Sequence, residues 1–249
     1  YYKTPCLTHA EATTGQENSF GWHVFGDGYC MQIDKLVAME QEGVVSLQKL
    51  GDTGSWYQQK FPVSAATAQV ALQDWRDEGQ KTVWYNCKNY RANLHFSEGK
   101  LYFRDLTKFD DRYQERYLQE PCLGWIATYD NLPIVDARLW SNQEQACGLH
   151  LTQQVSEIEV AENSDTQLQV KVQFTDGTVG NVIFAEEGIR FENCGYLYYS
   201  WGAIDEKTTL CFAENCLQGT QRGFAYRMPV IGSVTQNGAG FTLRPENDE

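Results

Sequence analysis

Long apolar runs are missing from this chain. No uninterrupted stretch approaches the ~20 residues that a membrane-crossing helix needs, so membrane insertion is not expected. Basic runs are missing too. Lys and Arg number 20 against 33 Asp and Glu, giving a net charge of −13 and a pI near 4.7. Phosphate backbones are held by cations that displace counterions, so nucleic acid is not an expected partner. Anionic membrane surfaces are disfavoured for the same reason. Histidine is scarce, and no two of His9, His23, His95 and His150 share metal-ligand spacing. The chain has no GxSxG elbow, HExxH helix, GxxxxGK[ST] loop or helix-opening GxGxxG. Their absence removes the commonest signatures of serine hydrolases, zinc peptidases and nucleotide-binding enzymes. No Asn-x-Ser/Thr acceptor occurs either: Asn18-Ser19-Phe20 and Asn163-Ser164-Asp165 both fail at the third position. That favours a bacterial or viral source over a eukaryotic secretory one.

No CxxC pair is present among the eight cysteines at 6, 30, 87, 122, 147, 194, 211 and 216. An even number spread through strand-like segments predicts three or four disulfides and an oxidising compartment, with buried free thiols as the alternative. A small loop closed by Cys211 and Cys216 fits that scheme. The chain opens Tyr1-Tyr2-Lys3 without an initiator Met, which adds an expectation of processing and export. The expected location is therefore extracellular, periplasmic or at the cell surface.

What is present is an ordinary folded composition, with 42% hydrophobic and 21% charged residues, enriched to 13% aromatics. Alternation with period two recurs along the chain. Val170, Val172 and Phe174 face one way while Lys171 and Gln173 face the other, and Thr175-Asp176-Gly177 turns the chain. Segments 93–103 and 181–191 read as similar hairpins, as a duplicated β unit would. The predicted fold class is all-β: an antiparallel β-sandwich or two tandem β domains. The expected division is an extended N-terminal arm over 1–20, a first β domain over 21–148 and a second over 149–249. Gly26-Asp27-Gly28 and Glu42-Gly43 read as hairpin turns, and Gly51-Asp52-Thr53-Gly54 as another turn. One short helix is predicted near 64–77, capped by Ser64, with Ala68, Leu72 and Trp75 on one face.

Candidate chemistry concentrates in two places. Phe109 to Tyr117 gathers Asp110, Asp111, Arg112, Tyr113, Glu115 and Arg116. A glycosidase needs one protonated and one ionised carboxyl across a sugar ring. A lyase needs a base such as Tyr or His and a cation to neutralise a uronate. Asp110, Asp111, Arg112 and Tyr113, with His95 from the neighbouring strand, are thus the catalytic candidates, against the simpler reading of a salt-bridged surface loop. Tyr196, Tyr198, Trp125 and Trp140 are candidate stacking platforms for sugar rings, and Arg91 lines the same expected groove as His95. Ordinary cross-strand packing competes with that reading. Asp-bearing turns such as Gly26-Asp27-Gly28 and Asn163-Ser164-Asp165 make calcium possible through oxygen ligands, although turn chemistry alone accounts for them. The expected function is carbohydrate recognition, lectin-like or as part of a polysaccharide hydrolase or lyase. The alternative is a structural or filament-forming surface protein that homo-oligomerises by adding its N-terminal arm to a neighbour's sheet edge.

Overall fold

The computed structural model describes residues 22–74, 76–124, 130–135, 147–201, 208–238 and 240–246. The expected arm over 1–20 lies outside them, as do Trp75, Trp125 and Trp140. By its internal contacts the chain divides into Tyr1–Pro62 and Val63–Glu249.

The described part of the first unit is helical, where hairpins were expected. Helix α1 spans Trp22–Gln41 and α2 spans Leu50–Lys60. In α1, Tyr29, Ile33 and Leu36 recur at helical spacing and are half-buried, a period that outweighs the Gly26-Asp27-Gly28 turn signal. Glu42-Gly43 is the end of a helix and not a hairpin turn. Gly43 sits at φ +73 and donates to Glu40 O at 2.9 Å, while Val44 N reaches Met39 O at 2.9 Å. This is a Schellman closure, and it needs the left-handed conformation glycine adopts freely. Gly51 to Gly54 lies inside α2. There Asp52 stands in the positively polarised first turn and Lys60 in the last. Trp56 and Tyr57 pack on Phe61 at 6.0 and 4.9 Å.

The second unit is β throughout its described residues, apart from a 3₁₀ turn at Arg116–Leu118. Its strands are β1 (Thr67–Ala71), β2 (Lys81–Asn86), β3 (Tyr90–Ser97), β4 (Lys100–Lys108), β5 (Leu132–Val135), β6 (Cys147–Leu151), β7 (Val155–Asn163) and β8 (Gln167–Phe174). They continue as β9 (Val179–Ala185), β10 (Gly188–Glu192), β11 (Leu197–Trp201), β12 (Thr208–Ala213), β13 (Cys216–Gln221), β14 (Phe224–Pro229), β15 (Gly232–Gln236) and β16 (Gly240–Pro245). The predicted helix near 64–77 is instead β1, an edge strand with Val70 opposite Val83. Past it, the Asp74 carboxylate accepts from the backbone N–H of Arg76, Glu78 and Gln80 at 2.9, 3.1 and 2.8 Å. An Asp that binds its own downstream amides builds a turn in place of a helix.

Every ladder among the described residues is antiparallel. One nine-stranded sheet runs β1-β2-β3-β4-β6-β11-β16-β15, with β5 also on β4, and so takes strands from both sides of residue 148. A four-stranded sheet runs β10-β9-β8-β7, and a three-stranded sheet β12-β13-β14. The two smaller sheets lie on the apolar face of the large one. Phe184 stacks on Tyr85 at 5.7 Å, and Phe103 meets Phe184 and Phe191 at 6.2 and 6.1 Å. The two similar hairpins of the sequence, β3–β4 and β9–β10, therefore face each other across the core. Glu98 and Gly99 at the first turn both have positive φ, as a two-residue hairpin turn requires. On the other flank Phe212 packs on Phe241 at 4.7 Å, and Tyr226 donates to Pro133 O at 2.7 Å. The result is sandwich-like. Apolar burial between the sheets is its main support, at about 25 cal/mol per Å².

The expected disulfides do not form among the described cysteines. Cys30, Cys87, Cys122, Cys194, Cys211 and Cys216 are all free thiols. For Cys211 and Cys216 the reason is register: Cys211 opposes Gln218, and Cys216 opposes Ala213. Diagonal positions on a ladder lie ~7–8 Å apart, beyond disulfide reach. Cys194 is buried, donates to Asn181 O at 3.2 Å, and its thiol pKa is pushed up to about 12 by burial. Among the described residues, no helix is long and apolar enough to cross a membrane, and no cluster of His, Cys, Asp or Glu is arranged to hold a metal ion.

Candidate polar aromatic face

The strands that bury Leu94, Phe103, Leu149 and Tyr199 toward the core must present the alternate residues on the opposite face. On β3 these are Arg91, Asn93, His95 and Ser97. Register then decides what meets what. His95 is opposite Thr82 on β2 and Tyr102 on β4. Tyr102 is opposite His150 on β6, His150 is opposite Tyr198 on β11, and Tyr198 is opposite Thr242 on β16. One ladder row thus reads Thr82, His95, Tyr102, His150, Tyr198, Thr242 across six neighbouring strands. Ring centres are 5.2 Å apart for His95–Tyr102 and 5.4 Å for His150–Tyr198.

The row is graded in exposure. His95 is buried at 5% exposure, Tyr102 and Tyr198 are half-buried, and His150 is exposed. His95 Nδ1 has no hydrogen-bond partner despite its burial. Burial, and secondarily the Arg104 charge, depress its pKa to about 4, so the imidazole is neutral near pH 7. His150 is lowered too, by desolvation first and Lys100 second; its exposed surface makes that the smaller effect. Beside the row, Tyr196 stands 49% exposed, with the Arg244 guanidinium 5.9 Å from its ring centre.

One row along the strands the side chains shrink. Gly148, Ser200 and Gly240 lie side by side on β6, β11 and β16. A Cβ at Gly148 would meet open space, while one at Gly240 would come 3.0 Å from the Tyr198 hydroxyl. Small residues here leave a shallow floor beside the aromatic row.

Toward β2 the same face carries a hydrogen-bonded polar cluster. Arg91 Nε and Nη2 donate to Asp105 at 3.2 and 3.0 Å, and the Thr107 hydroxyl donates to Asp105 Oδ1 at 2.9 Å. Asn93 donates to Thr82 Oγ1 at 2.6 Å and Val83 O at 3.2 Å. Trp84, opposite Asn93, adds another ring to this face.

Of the sequence candidates, the structure thus brings His95, Arg91, Tyr196 and Tyr198 onto one sheet face. Asp110, Asp111, Arg112 and Tyr113 occupy the loop after β4, whose described partners are on the loop itself and on β14. Asp110 takes a two-pronged hydrogen bond from Arg112 at 2.8 and 2.7 Å, and that guanidinium holds its pKa down to about 2. Arg112 stands 5.7 Å over the Phe224 ring, and Tyr113 packs on Phe224 at 5.0 Å. Asp111 is exposed. Further along, Arg116 and Arg222 share Asp130 at 2.6 and 2.8 Å. The charges of this segment tie the loop to the three-stranded sheet. Trp125 and Trp140 lie outside the described residues.

Tyr102, His150, Trp84 and Arg244 were missed. Their alternation with core residues was readable, but the row that Tyr102 and His150 complete depends on the β4–β6 and β6–β11 pairings, which join strands far apart in sequence. No family model, curated protein or solved structure matches this chain.

Proposed function

We propose that the polar face of the nine-stranded sheet binds carbohydrate and that the protein is lectin-like. The observation that carries this reading is the His95–Tyr102–His150–Tyr198 row, continued by half-open Tyr196 and bordered by the Gly148–Ser200–Gly240 floor. Sugar rings present apolar C–H faces to aromatic planes and hydroxyls to polar edges, and Tyr and His offer both. Binding is favoured over catalysis on this face because its strand carboxylate, Asp105, is fully engaged by Arg91 and Thr107. The described cysteines are free thiols and lend no support to export.

The test is affinity electrophoresis and calorimetry of the intact protein with a panel of neutral and charged polysaccharides. Replacing Tyr198 with Ala should weaken binding to the best ligand by about tenfold, the effect of ~1.4 kcal/mol of lost stacking. An unchanged affinity for Tyr198→Ala and Tyr196→Ala, both folded, would remove this face from consideration.

A further inference from the structure

The chain as a whole is strongly acidic, with 33 acidic against 20 basic residues. The polar aromatic face reverses that balance. Its strand positions carry Arg91, Lys100 and Arg244 as cations, and Asp105 is the acid that the strands place there. Asp105 is already neutralised by Arg91, at a side-chain exposure of 5%. Arg104 joins the cations through a bulge. The β3–β4 register passes from Asn93–Asp105 to Leu94–Phe103 and leaves Arg104 unmatched. A bulge re-aims a side chain out of strict alternation.

Electrostatics place these cations at the row itself. Arg104 adds to the burial that lowers His95 and works against the burial that raises Tyr102, while Lys100 adds to the burial that lowers His150. Arg244 lies over Tyr196. Lys100, Arg104 and Arg244 are all exposed, and among the described residues none of the three enters an ion pair. Glu98 at the hairpin turn also acts on Tyr102, but more weakly than Arg104. Exposed cations gathered along an aromatic row, in a protein with acid to spare for pairing them, are placed to meet charge from outside.

Resting on the carbohydrate reading above, we infer that the ligand is an anionic polysaccharide, whose acid groups pair with Lys100, Arg104 and Arg244 while its rings lie on Tyr196, Tyr198 and His150. Guanidinium and ammonium groups hold carboxylate or sulfate by charge-assisted hydrogen bonds. The net charge of −13 repels polyanions in general, so retention on one requires a local patch of this kind.

The experiment is affinity electrophoresis of the intact protein in gels containing polygalacturonate, dextran sulfate or neutral dextran and xylan, repeated at low and high salt. The expected result is retardation by polygalacturonate or by dextran sulfate, at least tenfold stronger than by the neutral polymers and weakened by salt. Which of the two retards identifies the acid group as carboxylate or sulfate. Lys100→Gln, Arg104→Gln and Arg244→Gln combined should abolish it while the circular dichroism and melting temperature stay unchanged. Equal retardation by neutral polymers, insensitive to the triple variant, would overturn the anionic ligand and leave the carbohydrate reading standing. No retardation by any polymer would overturn both.

Discussion

Tyr198 sits where strand alternation and close approach coincide. Its neighbours Leu197 and Tyr199 enter the core, so its ring must take the other face, and the missing side chain at Gly240 leaves room for its hydroxyl. His95 makes the opposite compromise, giving up solvent while its Nδ1 goes unbonded. A buried polar atom without a partner costs about 1–3 kcal/mol, a local loss that the surrounding packing must offset. A second glycine is fixed purely by packing. A Cβ at Gly219 would fall 2.2 Å from Tyr226 Cζ. Gly219→Ala is therefore expected to destabilise the fold by about 1–3 kcal/mol, read as a lower denaturant midpoint. An unchanged midpoint would mean that the Tyr226 ring can move aside, and its hydrogen bond to Pro133 O with it.

At the scale of elements, the loop between β4 and β5 shows how a catalytic-looking run becomes structural. Asp130 has a side-chain exposure of 5% and accepts from both Arg116 and Arg222. It thus joins the loop to the β13–β14 turn. Asp130→Asn keeps the size and removes the charge. The half-open arginines can partly rehydrate, so a loss of about 1–3 kcal/mol is expected, smaller than for a fully buried pair. Urea denaturation checks it, and a loss no greater than that of Arg112→Gln on the exposed side of the loop would refute the anchoring role. The run Phe109–Tyr117 was legible in the sequence as a charged cluster. Its partners were not, because Arg222 and Phe224 arrive from a hairpin about a hundred residues away. Helix α1 failed the reading differently. The Gly26-Asp27-Gly28 signal is local, and it lost to a helical apolar period closed by Gly43. The segment near 64–77 lost the other way, since edge pairing with β2 outweighs the helix propensity of an Ala-rich stretch.

For the whole molecule, the titrating groups set how stability follows pH. The folded-state pKa of His95 is depressed from 6.5 to about 4, so the unfolded chain binds more protons between those values. The stability owed to its neutral form is complete above pH 6.5 and is lost as pH falls toward 4, with His150 adding a smaller slope of the same sign. Below about 4.5 the carboxylates follow. Glu157 loses Lys81, and Asp110, depressed from 3.8 to about 2, loses Arg112 last. Melting temperature is thus expected to drop in two stages on acidification. His95→Gln should flatten the stage between pH 6.5 and 4 without altering the lower one. An identical pH profile in the variant would show that His95 is not the titrating group.

Read alone, the sequence determined the fold class and the faces. Period-two alternation fixes which side of a strand is apolar, because side-chain direction is a local property of the backbone. It likewise carries the overall acidic balance, which is a property of composition. It could not determine which strands are neighbours. The His95–Tyr102–His150–Tyr198 row, the free thiols two positions out of register, and the cations gathered on an acidic protein all follow from pairings between distant segments. Those pairings are set by how the apolar faces of three sheets share one core, and only the tertiary structure decides that.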